Sequence, residues 1–78
     1  MASVDEVANA MYEMVKEYSG KKNLKAMDLT KAMIEKFGDD NCDKKLCKLA
    51  IRQIIESGKC TYSYVGGSYI VLNPEYKG

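Results

Sequence analysis

Four cations crowd one short stretch of this chain: Lys44, Lys45, Lys48 and Arg52. On a helix turning about 100° per residue they gather on one side. On the other side Cys47, Ala50, Ile51, Ile54 and Ile55 recur at i, i+3, i+4, i+7 and i+8, one apolar stripe. A cationic face of that kind suits a nucleic-acid backbone, with Gln53 near its rim as a base contact. Lys31, Lys36 and the Lys21/Lys22/Lys25 cluster would add phosphate contacts. The same pattern is also the ordinary solvated face of an amphipathic helix. A second set of candidates lies beyond it: Tyr62, Tyr64 and Tyr69 flank Gly66-Gly67. Exposed tyrosines stack on bases and serve protein interfaces equally well, and they are simply core if they pack inward.

Other chemistry finds little footing. The chain has no histidine, so the commonest general base is missing, and no nucleophile, base and orienting group share a motif. A non-enzyme is the expectation. Three cysteines (Cys42, Cys47, Cys60) contain no C-x-x-C and offer no four-ligand zinc spacing. Cys47 belongs to the apolar stripe and reads as a small core residue. Cys42, in the Asp39-Asp40-Asn41-Cys42 loop, is the one placed where it could be exposed, but Asp39, Asp40 and Asp43 around it oppose thiolate formation. Asp39-Asp40 lacks the remaining ligands of a calcium loop. Gly66-Gly67 is no phosphate loop, since no G-x-x-x-x-G-K follows. No metal and no cofactor are expected.

The elements that would position these residues can be read from caps and periods. Ser3 and Glu6 form an S-x-x-E capping box. Val4, Val7, Ala8, Met11, Met14, Val15 and Tyr18 follow on one face, so a first helix is predicted to about Tyr18, stopping at Ser19-Gly20. Leu24-Lys25-Ala26 is too short to assign from its own residues. Asp28 is the expected N-cap of a second helix over Leu29–Phe37, ended by Gly38. Asn41 or Asp43 caps the third helix, which ends at Ser57-Gly58. The period then changes from 3.6 to 2. Gly66-Gly67 predicts a two-residue hairpin turn, because such turns need positive φ. Pairing outward sets Tyr64 against Tyr69, Ser63 against Ile70 and Tyr62 against Val71. Either Tyr62/Tyr64/Tyr69/Val71 or Val65/Ile70/Leu72 would then face the core. Asn73-Pro74 ends the strand, and a loose tail is expected from about residue 74.

Composition bounds the answer. A chain of 78 residues makes one small domain, residues 1–78, with one modest core. No apolar run approaches the roughly 20 residues that span a bilayer. The N-terminus shows neither a basic n-region nor an h-region, so a cytoplasmic location and no membrane partner are expected. Net charge is only +1, from 12 Lys+Arg against 11 Asp+Glu. Dedicated DNA-binding domains are usually more basic, because phosphate neutralisation supplies much of their affinity.

The order helix, short strand, helix, helix, hairpin resembles the winged-helix superfamily across nearly the whole chain. The residues carrying the likeness are Asp28-Leu29-Thr30 opening the second helix, Leu46–Ile55 as the third, and Gly58-Lys59-Cys60-Thr61-Tyr62 leading into the wing. Within that superfamily, the size and the stretch Cys60-Thr61-Tyr62-Ser63-Tyr64-Val65-Gly66-Gly67-Ser68 look most like the small dissimilatory sulfite reductase D proteins. The chain departs from them at the Gly38–Cys42 loop and by lacking tryptophan in the wing.

The resemblance implies an α+β winged helix-turn-helix: three helices, a C-terminal β-hairpin wing and one short strand. It implies double-stranded DNA as the partner, read by the third helix and wing of a transcriptional regulator. The narrower likeness implies a protein partner beside sulfite reduction. Two details weigh against DNA. A recognition helix presents its N-terminal residues to base edges, and here Asp39, Asp40 and Asp43 crowd that end. The wing tip, Val65-Gly66-Gly67-Ser68, carries no cation. Many winged helices dimerise, and the first helix would offer a homodimer its spare apolar edge.

Overall fold

The computed structural model of the protein describes residues 2–64 and 66–76. Three helices, α1 (Val4–Tyr18), α2 (Ala26–Phe37) and α3 (Lys44–Glu56), precede two strands, β1 (Cys60–Ser63) and β2 (Tyr69–Leu72), that form an antiparallel pair. The domain is a small α+β fold.

A side chain satisfies orphan amides where α1 and α3 begin. At α1 the Glu6 N–H donates to Ser3 Oγ at 3.1 Å while the Ser3 N–H reaches Glu6 Oε1 at 3.4 Å, the reciprocal box expected. The start of α2 differs from expectation. Asp28 is not its N-cap; the helix opens at Ala26, and Asp28 sits one turn inside, its carboxylate accepting from the Lys25 N–H at 3.0 Å. From that position the carboxylate still favours the first turn, through the Lys25 amide and the helix dipole, although no side chain caps the amides that follow.

Asp43, not Asn41, caps α3, with Oδ1 accepting from the Leu46 N–H at 2.8 Å. Asn41 closes the preceding helix instead, its Nδ2 donating to the Phe37 carbonyl at 2.9 Å. Removing the α3 cap with Asp43→Ala is expected to lower stability by about 1 kcal/mol, the usual cost of a lost N-cap. Urea denaturation checks this, and an unchanged midpoint would mean that solvent caps the helix equally well.

The hairpin register departs from the predicted one by a single residue. Cys60 pairs with Leu72, Thr61 with Val71, Tyr62 with Ile70 and Ser63 with Tyr69. Residues 64–68 connect the strands in place of a two-residue turn. The reason is burial. Cys60 and Ile70 are both fully buried, and side chains alternate faces along a strand, so only this register puts both on the core face. The expected pairing would have turned one of them to solvent.

The core face therefore carries Cys60, Ile70 and Leu72 with Tyr62 at its margin, which overturns the Tyr62/Tyr64/Tyr69/Val71 set and agrees with Ile70 and Leu72 of the other. Val65 lies outside the described residues. Gly66 and Gly67 both have positive φ (+77° and +147°), and a side chain at Gly67 would meet the Tyr69 ring at 3.4 Å. The expected short strand survives as one bridge at Leu24, whose carbonyl accepts from the Ile70 N–H at 2.7 Å.

The core is wholly apolar among the described residues. Val7, Met11 and Val15 of α1, Leu29 and Met33 of α2, and Leu46, Cys47, Ala50, Ile51 and Ile54 of α3 meet Leu24, Cys42, Cys60 and Ile70. Cys42 lies in the loop before α3 as expected but is buried, not exposed, with its Sγ 3.3 Å from Cys47 Sγ. The chain after Pro74 is not loose throughout: the Tyr76 N–H donates to the Asn73 carbonyl, and its ring packs edge-on against Tyr12 with centroids 6.0 Å apart. Lys77 and Gly78 lie outside the described residues. No described helix is long and apolar enough to cross a membrane.

Candidate interaction groove

The exposed face of α3 divides the expected contact residues into two groups. Lys44, Lys48 and Arg52 follow one another at one-turn intervals along the edge of α3 that looks toward α2 and β1. Just beneath them Ile51 and Ile55 form the floor of a groove of about 540 Å³. Ala26, Met27 and Thr30 of α2 supply one wall, and Tyr62 of β1 closes the other. Its size lies within the roughly 300–1,000 Å³ of ordinary ligand sites. Met27 is 57% exposed and Tyr62 39%, so two large apolar side chains stand open to solvent on either side. The neighbouring Tyr64 is 74% exposed, its ring stacked 6.2 Å from that of Tyr62 at an interplanar angle of 29°.

The other expected residues stand apart. Lys45 points away from the groove lining, on the side of exposed Leu49. Gln53 is not available as a base contact as it stands: it is half-buried, and its Nε2 donates to Asp5 Oδ1 at 2.8 Å. Tyr69 falls on the opposite face of the ribbon from Tyr62, half-buried, with Lys25 Nζ 5.7 Å from its ring. Gly66 and Gly67 serve the connection between strands and are exposed there.

The charges are unevenly held. Arg52 Nε donates to Glu56 Oε1 at 2.9 Å, so that end of the row is largely self-neutralised. Lys44, Lys45 and Lys48 take part in no ion pair among the described residues. The groove is therefore cationic at the start of α3 and neutral toward its end. Asp43 nearby is committed to capping, while Asp39 and Asp40 sit exposed in the preceding turn.

Sequence reasoning missed Met27, Ala26 and Thr30 as groove residues because it started α2 after them or counted them as structure. One signal pointed to Met27. It falls off the Leu29/Ala32/Met33/Phe37 stripe, so a helix extended backward to Ala26 has to present it away from the core. Comparison of the chain with protein-family models, with curated proteins and with solved structures finds no match.

Proposed function

We propose that the chain is a small winged-helix protein-interaction module, an adaptor or enzyme-regulatory subunit that binds its partner through α3 and the tyrosine-bearing strand. The observation that carries this reading is the apolar groove floored by Ile51 and Ile55 and walled by Met27 and Tyr62. Phosphate backbones gain nothing from such a floor, whereas protein interfaces are built around aromatic and methionine anchors. The likeness to dissimilatory sulfite reductase D proteins makes a dissimilatory sulfite reductase the first partner to try. Titration of that enzyme with the purified chain should give saturable binding that Tyr62→Ala weakens.

A second reading, duplex DNA binding by a transcriptional regulator, is favoured by the unpaired Lys44, Lys45 and Lys48. Three phosphate contacts would give a log–log salt slope of about −2.7, a loss of about 40-fold between 50 and 200 mM salt. Binding of random duplex with that slope, abolished by Lys48→Glu/Arg52→Glu and indifferent to Tyr62→Ala, would replace the first reading with the second.

A further inference from the structure

We infer that the groove between α2, α3 and β1 takes an acidic amphipathic helix of a partner protein; this rests on reading that face as a protein-interaction surface. Two features of the groove select the occupant. Its floor is apolar, formed by Ile51 and Ile55, and Met27 and Tyr62 flank it at the sides, which calls for a ligand with a continuous apolar stripe. Met27 is unbranched and adapts its shape to such a stripe, while the Tyr62 ring offers a rigid flank.

The cationic edge supplies the second selection. Lys44 and Lys48 are four residues apart on α3, a rise of about 6 Å, and neither is engaged by a carboxylate among the described residues. Carboxylates at i and i+4 of a docked helix repeat at the same interval, so one ligand face can meet both lysines while its stripe fills the floor. The Arg52–Glu56 pair neutralises the far end, so the ligand's acidic residues belong at the Lys44 end. A basic helix would set its cations against Lys44 and Lys48. A nucleic acid would satisfy the lysines and leave the floor empty.

The test uses the full chain and three fluorescent synthetic helices read by anisotropy: one with a Leu/Phe stripe flanked by Glu at i and i+4, one with Lys in place of Glu, and one with Ser in place of the stripe. Only the first is expected to bind saturably. Lys48→Glu and Tyr62→Ala should each weaken it by about tenfold or more. Met27→Ser, at a position too exposed to threaten the fold, should act in the same direction, and circular dichroism verifies that each variant is folded. Equal binding of the Glu and Lys helices overturns the charge selection and leaves the protein-interaction reading standing. Failure of all three helices overturns the inference, and if random duplex DNA binds in the same assay, the underlying reading falls with it. Self-association of the chain that Tyr62→Ala abolishes would make a second copy the occupant and overturn it as well.

Discussion

Ile54→Ala is expected to destabilise the domain by about 2–5 kcal/mol, the range for removing a buried isoleucine side chain whose site only partly collapses. Ile54 is 1% exposed, on the side of α3 that joins the core shared with α1 and the hairpin. A chain of 78 residues has roughly 4–12 kcal/mol of stability to lose, so this one change would consume a large part of it. The cost is high because α3 is the common support: its inner stripe closes the core and its outer edge carries the groove. Urea denaturation would show a lower midpoint with an unchanged slope, as expected when stability alone changes. Leu49→Ala on the same helix is the contrast. Leu49 is 52% exposed, and its loss should stay within about 0.5 kcal/mol. Equal effects at the two positions would mean that α3 does not sit in the orientation described.

Cys47 and Cys60 should be close to inert in the folded protein and should limit its tolerance of alkali. Burial, the contact with the Cys42 thiol and the nearby charge of Asp43 push Cys47 up from an ordinary 9.0 to about 12. Burial pushes Cys60 to about 11, with Lys59 opposing it weakly. At pH 8 a thiol titrating near 12 has about a thousandfold less thiolate than one titrating at 9.0, and it is the thiolate that reacts. Labelling of Cys47 by a disulfide reagent should therefore be slower by at least about that factor than in urea-unfolded chain. Rapid labelling at pH 8 would show that the core around α3 opens readily.

The same raised values set the direction of the pH dependence. The folded state prefers the neutral thiol more strongly than the unfolded state does, so the contribution to stability is complete below pH 9. It is lost as pH rises through about 11 and 12. The measurement is comparative: the fall in urea midpoint above pH 9 should be shallower in Cys47→Ala than in the unsubstituted chain. Identical slopes would remove Cys47 from the account.

The physics of the fold also explains why the two largest effects involve α3 and not the hairpin. The ribbon has one buried residue per strand, Cys60 and Ile70, and Tyr64, Gly66, Gly67 and Ser68 between the strands are exposed. Tyr62 and Tyr64 can therefore be altered with little loss of stability, which leaves their substitution as a clean probe of binding.

What the sequence determined by itself was local. The Ser3/Glu6 box, the Gly38 stop and the apolar stripe of residues 47–55 declare themselves within a few turns of chain, because caps and helical period are interactions between near neighbours. The α2 start escaped because an aspartate can stabilise a first turn from the cap or from one turn inside it, and Asp28 takes the second place. The hairpin was legible as a hairpin, but its register was not. Gly66-Gly67 satisfied a two-residue turn locally, whereas the observed pairing is imposed by the joint burial of Cys60 and Ile70 and by the Leu24 bridge.

The site followed the same division. Sequence spacing put Lys44, Lys48 and Arg52 on one face, since all three lie on one helix. That Met27 and Tyr62 would face each other across Ile51 and Ile55 depended on how α2, α3 and β1 dock. Gln53 was withdrawn by Asp5, 48 positions earlier in the chain. Contacts between residues so distant in sequence have no periodic signature, and only the packing of the tertiary structure decides them.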